Sequence, residues 1–115
     1  MLKVGKDMSL EVSQGDYFDI TFNISGLTLE LGTQVFFAVK KAPSDDLPTL
    51  LRQEATVNQE TNSVRVVVES LSMAQLKAGE YVYDLTYFKG TNRRTLLFPK
   101  AFTVRGVVDN ADIGQ

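Results

Sequence analysis

The chain has 115 residues, the size of one domain, with 43% hydrophobic and 23% charged residues, so the composition predicts a folded globular protein. A formal net charge of -2, without a basic run, disfavours a nucleic-acid partner. Cysteine and histidine are absent, which excludes disulfides and thiolate metal sites and removes the commonest general base.

The N-terminal segment and the apolar runs bear on location. The first seven residues lack the charged start and apolar stretch of a signal peptide. No apolar run approaches the roughly 20 residues that span a bilayer. The sequence therefore predicts a soluble protein, made in the cytoplasm, with no membrane partner.

The first half of the chain alternates apolar and polar residues with a period of two, which is typical of strands with one buried face. The clearest case is residues 17–25, where Phe18, Ile20, Phe22 and Ile24 share one face. Shorter strands are predicted at residues 9–12 and 35–41. Between and after them, a leucine-rich loop is predicted at residues 27–31 and an exposed, proline-containing loop at 42–48.

The second half continues this pattern. Strands are predicted at residues 50–57, 64–69, 80–88, 94–98 and 102–108. One or two helical turns are expected at residues 70–77, between a serine and Gly79. Pro99 predicts an edge strand or a bulge. One domain therefore covers residues 1–108, and residues 109–115 are expected to form a flexible tail.

Seven or eight short antiparallel strands with turns every eight to twelve residues predict an all-β sandwich. Tyr81 lies where immunoglobulin-like sandwiches place a corner tyrosine at the start of strand F, whose hydroxyl bonds back to the main chain upstream. The alternative is that Tyr81 is only a half-buried aromatic residue on a strand. The corner favours an immunoglobulin-like β-sandwich with one short helical turn before strand F.

A family resemblance is carried by four stretches that span most of residues 10–108. These stretches are Gln14-Gly15-Asp16 before the strand with Phe18, Ile20 and Phe22; Val35 to Lys41; Leu76 to Leu85; and Phe102-Thr103-Val104 with Gly106-Val107. Together they resemble the immunoglobulin-like domains of tailed-phage baseplate proteins, in particular the N-terminal domain of the upper baseplate protein and related small prophage structural proteins.

The resemblance implies a non-enzymatic virion structural protein of the tail or baseplate. It would dock to other phage tail proteins and form a homo-oligomer, without a cofactor, a small-molecule substrate or catalytic residues. The upper baseplate protein continues into a long helical and receptor-binding portion, whereas this sequence stops at Gln115. A role that depends on that extension is therefore not implied.

Three apolar residues are candidates for a docking surface. If Phe37 and Tyr83 face the core, Phe36, Val82 and Phe88 lie on the opposite face of their strands. Strands C and F are neighbours in an immunoglobulin-like sheet, so these side chains would form one patch. The alternative is that the 27–31 segment or the C-terminal tail covers them.

Rival functions rest on weaker features. A carbohydrate-binding or host-surface adhesion module could use Tyr17 and Tyr87 as sugar platforms, but tryptophan is absent. Asp45-Asp46 is interpreted as a solvated loop, with a weak Ca²⁺ site as the alternative, and no metal or cofactor is expected. Arg93-Arg94 would either meet an anionic partner or keep an edge strand soluble.

Overall fold

In the computed structural model, which describes residues 2–44 and 46–106, almost all regular structure is strand. Eight strands and one short helix are present in these residues. They are β1 (Leu2–Val4), β2 (Leu10–Ser13), β3 (Phe18–Asn23), β4 (Gln34–Lys40), β5 (Leu51–Asn58), β6 (Ser63–Val68), α1 (Ser70–Met73), β7 (Gly79–Lys89) and β8 (Asn92–Arg105). The all-β prediction is confirmed, and β1 is a strand that the sequence pattern did not predict.

The strands form two layers that share β5. The order β1-β2-β8-β7-β4-β5 makes one layer, and β5-β6-β3 makes the other. The first part of β5 pairs with β4, from Leu51 to Ala55, and its last residues, Thr56 to Asn58, pair with β6. Placing β3 and β6 opposite β8, β7 and β4 gives the arrangement of an immunoglobulin-like sandwich.

The core lies between the layers and follows the period-two pattern. Every second residue of β4 and β6 is fully buried, as in Val35, Phe37 and Val39. β7 contributes a row of large side chains to the same core. This row consists of Tyr81, Tyr83, Leu85 and Tyr87. The residues predicted to face inward on these strands are therefore the ones that pack together.

An aromatic cluster joins the two layers at the centre of the core. The ring of Tyr83 lies 5.2 Å from that of Phe37 in its own layer and 6.1 Å from that of Phe22 in the facing layer. Phe18 reaches Phe37 and Phe102 at 5.8 and 6.0 Å. Antibody-type domains use a disulfide and a tryptophan at this place. This chain has neither, and tilted and edge-to-face rings hold its layers together instead.

The tyrosine corner is confirmed. The hydroxyl of Tyr81 donates a hydrogen bond to the carbonyl oxygen of Lys77, 2.7 Å away. This bond ties the start of β7 to the segment that follows α1; Met73 at the end of α1 and Leu76 in that segment are buried. The helical turn is shorter than the predicted range, and the residue that precedes it, Glu69, makes no side-chain cap.

One pairing corrects the prediction that all strands are antiparallel. β2 and β8 run parallel, with Leu10 opposite Phe102 and Val12 opposite Val104. The pattern of side chains fixes which face of β2 is buried, but not which strand it joins. Because β2 joins the far end of β8 rather than a strand that follows it directly, its direction is not set by a hairpin.

β8 is one strand through Pro99, not two separate strands. Its register against β7 shifts between Tyr83 and Leu85 and again between Leu85 and Thr86, so extra residues of β8 bulge out beside Pro99. β2 pairs with β8 only from Phe102 to Arg105, so Pro99 also lies on a free edge. Both predicted roles of this proline, at an edge and at a bulge, are confirmed.

The predicted end of the last strand and the predicted tail both lie beyond the end of β8 in the sequence. β8 ends at Arg105, and residues 107 and 108, predicted as strand, lie outside the described residues, as does the predicted tail at 109–115. In the part of the chain that the structure describes, no helix has the length and hydropathy to cross a membrane.

Candidate functional site

The outer face of the larger layer carries the predicted docking residues. Phe36 on β4 and Val82 and Phe88 on β7 are all half-buried and point away from the core. The rings of Phe36 and Phe88 meet edge to face with their centres 5.8 Å apart. Val82 lies four residues along β7 from Thr86, the partner of Phe36, and pairs with Lys40. The period-two argument therefore placed all three residues on the correct face, in one surface.

These residues line a groove of about 300 Å³ that runs over β5, β4, β7 and β8. Its floor comes from the outward residues of β4 and β7, including Ala38 and Thr86, which are small enough to leave a depression. Its walls include Pro43 and Pro99. We call this feature, with Phe36, Arg52, Val82, Asp84, Phe88 and Arg93 as its principal side chains, the outer groove.

Arg52 is a groove residue that the sequence did not single out. Its guanidinium carbon lies 3.7 Å from the centre of the Phe36 ring, a close cation–π contact. This contact arises because Arg52 pairs with Ala38 in the β4–β5 register, which sets it diagonally beside Phe36. Without knowledge of how β4 and β5 pair, the sequence shows Arg52 only as an arginine near the start of a predicted strand.

Asp84 is the acidic residue of the groove. It is half-buried on β7, and burial raises the pKa of its carboxyl group, while the charges of Arg93 and Lys40 and a hydrogen bond from Thr86 act in the opposite direction. The carboxylate is therefore held among cations and a hydroxyl on the groove floor. Its neighbours suit ligand recognition by charge and hydrogen bonding.

The 27–31 segment does not cover the groove. Leu29 is 1% exposed and belongs to the core, whereas Leu31 is 86% exposed. Asn62 holds this segment, because its side-chain oxygen accepts from the amide of Leu29 and its amide group donates to the carbonyls of Ile24 and Leu27. The other suggested cover, the C-terminal tail, lies outside the described residues.

The other candidate residues do not assemble into a site. Tyr87, proposed as a sugar platform, is only 7% exposed and packs in the core, because it continues the inward row of β7. Tyr17 is exposed at the opposite layer, so the two tyrosines form no common platform.

Two further sequence predictions concern the loop at Asp45-Asp46 and the paired arginines Arg93 and Arg94. Asp45 lies outside the described residues, and within residues 2–44 and 46–106 no cluster of three or more acidic or other metal-ligating residues is present. Arg93 lines the outer groove, beside Phe88 in the β7–β8 register. Since β2 pairs with β8 only from Phe102 to Arg105, Arg93 and Arg94 also lie at a free strand edge, and their position is compatible with both predicted roles.

The chain matches no protein-family model and no curated protein. Among solved structures, one of a candidate glycoside hydrolase from Bacteroides vulgatus is similar over 84% of this chain, with 17% sequence identity and a TM-score of 0.48. The similar region makes up 16% of that protein's chain. This likeness carries no argument about the activity of the present chain.

Proposed function

We propose that this domain is a non-enzymatic interaction protein of a phage or prophage tail or baseplate, which docks to other virion proteins through the outer groove. The observation that supports docking most directly is the half-buried aromatic pair Phe36–Phe88 on an outer sheet face. A solvent-facing strand position in an antiparallel sheet normally carries polar residues. Two phenylalanines in contact there suit a surface that another protein covers.

The assignment to a virion rests on the resemblance to baseplate immunoglobulin-like domains. The confirmed corner at Tyr81 and the strand arrangement are compatible with that resemblance, although both are shared by many immunoglobulin-like sandwiches. Baseplate parts assemble as rings, so the proposal includes self-association of this chain and a location in the tail.

Charging Phe36 tests the docking surface. Phe36→Glu places a carboxylate in the centre of the outer groove but leaves the core rings on the opposite face in place. We expect the variant to fold and to lose self-association or binding to the adjacent tail proteins, measured by size exclusion with light scattering and by co-expression pull-down.

The matched control is Thr21→Glu, an exposed residue of β3 opposite Arg65 on the other layer. It adds the same charge away from the groove and is expected to change neither measurement. Equal assembly of wild type and Phe36→Glu would contradict docking through this face. Absence of the chain from gradient-purified particles, by mass spectrometry after prophage induction of its source strain, would contradict the virion assignment.

A further inference from the structure

The outer groove is positively charged, unlike the chain as a whole. Lys40, Arg52 and Arg93 line it together with a single carboxylate, that of Asp84. Glu54 borders the groove opposite Phe36, and with it the cations still outnumber the carboxylates. The whole chain carries a net charge of -2. The net positive charge is therefore confined to the outer groove, and it is complementary to an acidic ligand.

Two of the cations lie at opposite ends of the groove. Lys40 pairs with Val82, and Arg93 pairs with Phe88, near the two ends of β7. The six residue steps between Val82 and Phe88 correspond to about 20 Å along the strand. A single small anion does not bridge this distance, whereas an extended peptide of comparable length does.

The groove also carries apolar side chains. Val82 lies at the end marked by Lys40, and Phe88 lies at the end marked by Arg93, where its ring meets that of Phe36. The guanidinium of Arg52 lies over Phe36. Among the described residues, no carboxylate pairs with Arg52 or Arg93 within 4.0 Å. Each arginine can therefore bind a ligand carboxylate without breaking an ion pair, and the stacked guanidinium retains its planar donor edge.

We propose that the outer groove binds an extended acidic segment of a partner protein, with apolar side chains between its carboxylates. The inference deepens the proposed function and rests on it. The segment's carboxylates pair with Arg93, Arg52 and Lys40, and its apolar side chains pack on Phe36 and Phe88. Asp84 provides an acceptor on the groove floor for main-chain N–H groups of the segment.

A synthetic peptide tests the proposed ligand class. The probe is a fluorescent peptide, long enough to cover the groove, in which glutamate and leucine or phenylalanine take turns at every second position, so that both kinds of side chain face the groove in an extended chain. Its counterpart replaces each glutamate with lysine. We expect the acidic peptide to bind the full chain with a salt-dependent affinity and to shift the amide NMR signals of Phe36, Thr86 and Arg93. Equal binding of the lysine peptide, or shifts confined to other surfaces, would overturn the proposal.

Charge reversal in the groove supplies the second measurement. Arg52→Glu with Arg93→Glu is expected to weaken the acidic peptide at least about tenfold. The control, Lys6→Glu with Lys77→Glu, changes the net charge equally at exposed sites outside the groove and is expected to have little effect. Arg52→Gln with Arg93→Gln, which adds no negative charge, should lie between them. Unchanged affinity in both arginine variants would overturn the proposal.

Two other occupants are distinguished by the same NMR spectra. If a single-stranded oligonucleotide binds the groove as tightly as the acidic peptide, the surface recognises polyanions and the peptide assignment is wrong. If Asp109→Asn with Asp112→Asn shifts the groove signals of the free chain, its own C-terminal segment is the occupant, and the partner assignment is wrong.

Failure of this inference differs from failure of the proposed function. If Phe36→Glu abolishes assembly but the arginine variants assemble normally and the acidic peptide does not bind, docking stands and the acidic ligand is rejected. If the acidic peptide binds but the chain is absent from purified particles, the ligand class stands and the virion role is rejected.

Discussion

Asn62 shows how much one polar side chain contributes to a loop of this fold. It adopts a left-handed backbone conformation, with φ of 50°, which asparagine tolerates better than most residues. Its side chain makes three hydrogen bonds of 2.7–2.8 Å to the segment between β3 and β4. The sequence predicted a turn here, but the bonded residues are more than 30 positions away and could not be inferred from it.

Replacing this side chain should destabilise the domain. Asn62→Ala leaves the Leu29 amide and two carbonyl groups without their partner and puts alanine at positive φ, so we expect a loss of about 2–3 kcal/mol in the free energy of unfolding. Chemical denaturation measures it. Asn23→Ala, at an exposed position of β3, is the control, and an equal effect of the two substitutions would contradict this role for Asn62.

The corner tyrosine allows a one-atom test. Tyr81→Phe removes only the hydroxyl that donates to the Lys77 carbonyl, and we expect the free energy of unfolding to fall by about 1 kcal/mol. Tyr87→Phe is the matched control, since no hydrogen bond joins the Tyr87 hydroxyl to another described residue. If both variants lose the same stability in urea, the corner bond contributes nothing specific.

At the scale of elements, the alternating strands were predicted well and their partners were not. The inward faces of β3, β4, β6 and β7 follow from period-two patterns, because successive side chains point to opposite faces. The shared strand β5 and the bulges in β8 depend on how the layers meet. For the same reason, Phe36, Phe88 and Asp84 follow from the pattern as outer residues, whereas the place of Arg52 beside Phe36 depends on the pairing of β4 with β5.

The aromatic cluster should carry much of the stability between layers. Phe37 is fully buried and lies within 6 Å of the rings of Phe18, Tyr83 and Phe102. Phe37→Ala is therefore expected to cost about 3–5 kcal/mol, measured by chemical denaturation. Phe98→Ala, the same substitution at a side chain that is 74% exposed, should change stability by less than about 0.5 kcal/mol. Similar costs at both positions would show that this cluster does not join the layers.

At the scale of the whole molecule, Tyr83 connects the N-terminal segment to the core. Its ring is 1% exposed, and its hydroxyl donates to the carbonyl of Met8, in the turn between β1 and β2. Burial, together with the nearby charge of Asp7, raises the pKa of Tyr83 far above its usual range. The neutral hydroxyl is the form that the folded protein accommodates.

Stability should therefore fall in alkaline solution. Since the pKa is raised in the folded state, the contribution of Tyr83 is fully present below the unfolded value of 10.0 and is lost as the pH rises above it. We expect the free energy of unfolding to decrease between about pH 10 and 11 by up to about 1.4 kcal/mol per pH unit from this group. Tyr83→Phe should show a shallower decrease, and identical pH profiles would contradict the assignment.

The parallel pair of β2 and β8 has a consequence for the order in which this domain is completed during translation. Leu10 and Val12 of β2 pack beside Phe102 and Val104 of β8, although five other strands lie between β2 and β8 in the sequence. β3 to β7 are therefore synthesised before β8, the partner of the second edge of β2, is available. Until β8 is synthesised, this edge of β2 and its apolar side chains have no partner, and the segment stays open to proteases and chaperones.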